Sequence, residues 1–205
     1  DRVECLVLFV GPGQAIDAQA TAGALVAYLG GGQKAKAVSR TVPPTITYTR
    51  SYSATDTGMT ALMEHFAQSN PGTYGISLVE LSGAHRHASY NGTKQFTTAS
   101  TYKLFVAYST LLRVEDGRWN WIDQITGGKT LSKCFDDMIV RSDNPCAEAL
   151  LKKIGFTPIT NEAKAIGATR TSFLGSEGVK STAQDESLLL SLLYSGQILS
   201  QQSSR

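Results

Sequence analysis

Histidine and cysteine are scarce in this sequence, with three of each in 205 residues: His65, His85, His87, and Cys5, Cys134, Cys146. No Cys-x-x-Cys pair or Cys/His cluster occurs, which argues against a zinc centre. His85 and His87 stand two apart and are expected to share one face of a strand. With no third ligand in sight they read as surface histidines, so neither a metal nor another cofactor is expected. No basic run exceeds two residues and the net charge is only +2. Neither nucleic acid nor an anionic membrane is therefore indicated as the main partner. The apolar run from Cys5 to Val10 is far shorter than the roughly 20 residues a bilayer span needs and reads as a buried strand. The sequence starts at Asp1 without Met or signal peptide, which does not imply a cytosolic place, since an exported protein would have lost its signal peptide. It shows no internal repeat and no low-complexity segment. What remains is an ordinary globular composition, 41% hydrophobic and 18% charged, suited to one domain with a small appendage.

The appendage is residues 1–47. Strand 3–10, helix 17–29, the triplet Gly30-Gly31-Gly32 and strand 34–42 lead to an exit at Val42-Pro43-Pro44-Thr45. So short a piece buries little alone and reads as a remnant of a larger upstream module. The main domain, 48–205, opens with helical periodicity over 56–68, where Met59, Leu62, Met63 and Phe66 share a face. Asn70-Pro71-Gly72 ends it. Strands 74–81 and 85–91 then form a hairpin around Ser82-Gly83-Ala84. Helices follow over 100–113, 131–140, 145–154 and 159–166, and a last one runs from near 181 to 194.

Two short segments carry chemistry. In Ser100-Thr101-Tyr102-Lys103 the serine opens a helix, where its bland role is to cap. Lys103 lies three residues on, on the same face one turn later, and lysine side chains lean toward the N-terminal turn. A lysine held near the positive end of a helix and partly desolvated has a lowered pKa. In its neutral form it can take the serine proton. In Ser142-Asp143-Asn144, the bland reading has Asn144 capping a helix with Pro145 at its first position and Asp143 complementing the dipole. That leaves Ser142 unexplained. The corner between two helices can turn Ser142 and Asn144 into a cleft, one to relay a proton and the other to bind a substrate amide.

In this order, Ser-x-x-Lys and Ser-Asp-Asn resemble the signatures of the penicillin-binding protein and class A β-lactamase superfamily. The hairpin, the lead-in Phe96-Thr97-Thr98-Ala99, Asp137-Met138-Ile139-Val140-Arg141 and Ser181-Thr182-Ala183-Gln184-Asp185 are similar to that family's surroundings. The resemblance spans about 69 to the C-terminus. It implies an α+β fold, a helical cluster packed on an antiparallel sheet. It also implies that Ser100 is acylated, Lys103 moves its proton, Ser142 protonates the leaving nitrogen and Asn144 holds the substrate amide and Lys103. The substrate would be a β-lactam or a D-alanyl peptide of peptidoglycan. The region before 47 resembles wall-associated modules of Gram-positive-type proteins, in keeping with an extracytoplasmic place in a bacterium.

The family's third signature, a Lys-Thr-Gly strand, is absent. Lys129-Thr130 is followed by Leu131 and lies between helices. The expectation is that the domain is incomplete at its C-terminus, the missing strands following Arg205 or arriving as a separate chain. Otherwise the fragment is inactive. Glu177 lies in the stretch where class A enzymes carry the glutamate that activates the deacylating water, in a loop shorter than theirs. It reads either as that base or as a solvated glutamate, and without the base deacylation would be slow. Cys134 and Cys146 stand within about two helical turns of the Ser142 corner, one on each flanking helix. They are expected to bridge, with Cys5 unpaired, and the alternative is two buried thiols. The leading function is an acyl-enzyme-forming serine hydrolase. A non-catalytic peptidoglycan-associated module and an unrelated Ser–Lys amidase or esterase are the alternatives.

Overall fold

The computed structural model describes the backbone of residues 4–10 and 54 and all of residues 55–199. The expected helix 17–29, strand 34–42 and proline linker lie outside the described residues, as does the proposed boundary at 47. The chain divides into two compact units, Asp1–Phe96 with Thr182–Ser195, and Thr97–Ser181 with Gly196–Arg205.

The first unit is built on a four-stranded sheet. Its strands are β1 (Glu4–Val10), β2 (Ala54–Thr55), β3 (Tyr74–Glu80) and β4 (Arg86–Tyr90), in the order β1-β3-β4-β2. β1 runs antiparallel to β3 with Glu4 opposite Glu80 and Val10 opposite Tyr74. β3 and β4 form the expected antiparallel hairpin, with Leu78 opposite Ala88. β2 adds a two-residue parallel pairing to β4. Every residue of β3 is buried, because both of its faces are covered. Tyr74, Ile76 and Leu78 pack on Met59 and Met63 of helix α1 (Thr57–Ser69), and Phe66 meets Tyr74 edge-on at 5.2 Å. On the alternate positions the Ser77 hydroxyl bonds Ser187 at 2.8 Å on helix α6 (Ala183–Tyr194). The two methionines are fully buried, each contributing about 1.5–3 kcal/mol of apolar burial. Asp56 caps α1 by accepting the Met59 N–H at 2.9 Å and Thr182 caps α6 by accepting that of Asp185 at 3.1 Å, each satisfying an orphan helix donor. Gly75 is required in β3, since a Cβ there would lie 2.6 Å from a ring carbon of Phe96.

The second unit is helical. After β5 (Phe96–Thr97) a single 3₁₀ turn, Ala99–Thr101, leads into α2 (Tyr102–Glu115). A small hairpin, β6 (Gln124–Thr126) and β7 (Lys129–Thr130), precedes α3 (Leu131–Val140). α4 (Asn144–Ile154), α5 (Phe156–Ala165) and β8 (Lys180–Ser181) follow. α2 is the central helix, with nine buried residues from Lys103 to Arg113, so no single apolar stripe describes it. Phe105 and Tyr102 meet Phe173 edge-on at 6.4 and 6.5 Å. The buried Arg113 donates to the half-buried Glu162 of α5 at 2.9 Å and to its own turn's Ser109 carbonyl at 2.7 Å. The architecture is the expected α+β class, with antiparallel β3–β4 at the heart of the sheet.

Several local expectations need correction. α5 begins at Phe156, three residues before the expected 159, because Gly155 at φ 94° ends α4 and starts α5 in one step. His85 precedes β4 with φ 52°, so it does not share a strand face with His87. Lys129-Thr130 lies between helices α2 and α3, as expected, and there forms the strand β7. Among the described residues no group of three or more His, Cys, Asp or Glu is disposed to hold a metal, and no helix is long and apolar enough to cross a membrane.

Candidate active site

The site lies wholly within the helical unit, at the start of α2 and in the corner between α3 and α4. Ser100 sits on the 3₁₀ turn, directly after Ala99, whose φ of 46° is rare for a residue with a side chain. Ser100 does no capping. The N-cap position of α2 is Thr101, which makes no side-chain cap bond and whose hydroxyl donates to the Thr98 carbonyl at 2.8 Å. The Ser100 hydroxyl is left for Lys103 and Ser142.

Lys103 is buried, 3% exposed, while Ser100, Ser142 and Asn144 are exposed. Its ammonium nitrogen is therefore reached from solvent only past polar groups. Nζ lies 2.7 Å from the Ser142 carbonyl oxygen, 2.7 Å from Asn144 Oδ1, 2.8 Å from Ser142 Oγ and 3.2 Å from Ser100 Oγ. Ser142 Oγ donates to Ser100 Oγ at 3.0 Å. The carbonyl and the amide oxygen can only accept. They engage two N–H groups, and the third position on nitrogen faces the two hydroxyls. There a neutral amine presents its lone pair and an ammonium its last proton. Burial lowers the Lys103 pKa from its ordinary 10.5, against the opposing charges of Asp143 and Glu148, which raise it. The same Glu148 charge adds to burial in raising the Tyr102 phenol.

The corner that presents Ser142 is tied down from several sides. Ser142 has φ 56°, a left-handed conformation that lets its hydroxyl and its carbonyl both meet Lys103. The cap of α4 is Asp143, not Asn144: its carboxylate accepts the Cys146 N–H at 2.8 Å. Asn144 becomes the first helical residue, and its amide is released to Lys103. The Asp143 N–H donates to the Asp137 carbonyl at 3.1 Å. The buried Asp137 carboxylate takes Lys133 and, at 2.9 Å, Lys129 of β7. Those two hydrogen bonds hold its pKa at about 2. Lys129 also reaches Asp143 at 3.6 Å. The expected disulfide is present: Cys134 of α3 and Cys146 of α4 are bridged with Cα atoms 5.1 Å apart.

Glu177 is placed differently. Its side chain is 82% exposed and paired with Lys180 at 3.3 Å, and Lys180 donates in turn to Thr97 at 3.0 Å. Among the described residues no carboxylate hydrogen-bonds to Ser100, Lys103, Ser142 or Asn144. From the sequence, Lys129 and Asp137 were named only in other connections and Glu148 was passed over. Only the last carried a signal, its position four residues after Asn144 on one helix face.

A family model described as "Beta-lactamase enzyme family" matches residues 58–205. Solved structures share the fold. PBP-A aligns with a TM-score of 0.69 at 17% identity, over 76% of this chain and 68% of that one. A PBP-A mutant in an acyl-enzyme complex with penicillin G gives 0.67 and 17%, over 73% and 66%. A beta lactamase from Xanthomonas campestris pv. campestris gives 0.63 and 22%, over 70% and 65%. The chain thus spans about two-thirds of the length of these structures. No curated protein matches the sequence.

Proposed function

The chain belongs to the beta-lactamase enzyme family, and on that premise we propose that it is a serine hydrolase acylated on Ser100 by β-lactams or by D-alanyl peptides of peptidoglycan. The observation that carries this is the buried Lys103 nitrogen, held between two oxygens that can only accept and two hydroxyls, one of them that of Ser100. The neutral amine takes the Ser100 proton as Oγ bonds to the carbonyl carbon. Negative charge develops on the carbonyl oxygen. The Ser100 N–H, in a first turn where such groups lack intrahelical acceptors, supplies half of the oxyanion hole that stabilises it. As the carbon–nitrogen bond breaks, the leaving nitrogen takes the Ser142 hydroxyl proton, which the Lys103 ammonium replaces. Asn144 accepts from Lys103 through Oδ1, so its Nδ2 donors serve the substrate's amide carbonyl. The solved acyl-enzyme of a PBP-A mutant supports the reading by analogy of fold. The Cys134–Cys146 bridge supports an extracytoplasmic location, where disulfides persist.

The test is covalent labelling of the full-length protein with a fluorescent penicillin. Labelling is expected for the wild type and not for Ser100→Ala. No label on the wild type, or label surviving in S100A, overturns the proposal. Ester hydrolysis without penicillin labelling would instead identify a Ser–Lys esterase or amidase.

A further inference from the structure

An acyl-enzyme needs a group to activate the water that frees it, and Ser100, Lys103 and Ser142 are already engaged in acylation. The inference drawn here rests on the function proposed above. Three carboxylates are candidates. Glu177 faces solvent and is paired with Lys180. Asp143 is committed to the Cys146 N–H and to Lys129. The Glu148 side chain is exposed and makes no hydrogen bond or ion pair with any described residue. Lys152 stands at i+4 from it, the spacing of a solvated surface pair, and no pair forms within 4.0 Å.

Position sets Glu148 apart from an ordinary surface glutamate. It follows Asn144 by four residues on α4, so the two side chains share one helix face with Cβ atoms about 5–6 Å apart. Asn144 Oδ1 lies 2.7 Å from Lys103 Nζ, which lies 3.2 Å from Ser100 Oγ. One amide and one amine link this face of α4 to the nucleophile, and the Glu148 charge acts on Lys103 and on Tyr102.

We propose that Glu148, from helix α4 rather than from the loop carrying Glu177, is the carboxylate that activates water for deacylation. A water oxygen bonds to the acyl carbon while its proton passes to the Glu148 carboxylate. The bond from that carbon to Ser100 Oγ breaks, and Oγ takes up the Glu148 proton through the Lys103 amine, which acylation left neutral. The product acid leaves with Ser100, Lys103 and Glu148 back in their starting protonation states.

The experiment loads full-length wild type, Glu148→Gln and Glu177→Gln with penicillin G and follows the Ser100 adduct by intact-protein mass spectrometry after free drug is removed. General-base removal of this kind costs ~10²-fold or more, so the adduct on E148Q should outlive the wild-type adduct by about that factor, with E177Q within about twofold of wild type. Adduct formation on E148Q shows that the variant is folded. Release from E148Q at the wild-type rate overturns the inference, as does slowing in E177Q instead, or a wild-type adduct that never releases. A wild type that forms no adduct overturns the proposed function itself, and this inference with it.

Discussion

The corner at 142–144 and the loop at 174–179 both offered a polar side chain for catalysis, and the structure treats them oppositely. The corner is tied by the Asp143 cap, by the backbone bond to Asp137, by Lys129 reaching both carboxylates and by the Cys134–Cys146 bridge. The loop carries Gly175 and Gly178 at φ 135° and 83°, exposes half of Leu174, and holds Glu177 through one exposed ion pair. Exposed pairs of that kind contribute about 0–1 kcal/mol. Nucleophilic chemistry needs side chains fixed to a fraction of an ångström. The redundantly held segment meets that demand and the singly held one does not.

The comparison predicts a graded series of effects. Replacing Cys134 and Cys146 by Ala should cost the most stability, about 3 kcal/mol for a closed loop of this size, read from urea unfolding, and should slow Ser100 acylation. If stability falls while acylation is untouched, the bridge does not position Ser142 and Asn144. Asp143→Ala should cost about 1 kcal/mol as a lost cap. It should also slow acylation through the displaced Asn144, which a purely structural cap would not do. Acid should loosen the corner next. The Asp137 pKa is depressed to about 2 in the folded state, so its contribution is complete above the ordinary carboxylate pKa of about 3.9 and is lost as pH falls toward 2. Thermal melts from pH 5 to 2 should show a shallower acid limb in Asp137→Asn, and equal limbs would contradict the Lys129–Asp137–Lys133 network. Glu177→Ala should do least, changing stability by under about 0.5 kcal/mol.

Much of the fold was legible before the structure. Periodicity located the helix carrying Met59 and Met63 and the hairpin flanking Gly83, and it gave the bounds of α3 to the residue. Patterns set by one face and one core are local enough to read. The two-residue strands β2, β5, β7 and β8 were not read, because so short a strand is defined by its partner and not by its own residues. Ser100, Lys103, Ser142 and Asn144 were named from two motifs, and the structure brings all four together. The cap was misassigned because Asp143 and Asn144 are equally good capping residues, and Pro145 suggested a start one residue too late. Glu148 was passed over for another reason: Lys103 and Tyr102, on which its charge acts, are supplied by α2, more than 40 residues earlier in the chain, so only its spacing from Asn144 was legible.

The central claim is that a buried Lys103, acting as the neutral amine, activates Ser100. It is tested most directly by the rate of Ser100 acylation by penicillin G as a function of pH, in the full-length wild type and in Lys103→Met, with the adduct mapped to its peptide. Burial lowers the Lys103 pKa, and the charges of Asp143 and Glu148 only partly restore it. The neutral amine is the base, so the wild-type rate should climb with pH and level off below the ordinary lysine value of 10.5. K103M should be slower by ~10²-fold or more, as expected for loss of a general base, and should lack that rise. An adduct on a residue other than Ser100, or K103M acylating at the wild-type rate with the same pH profile, would contradict the account.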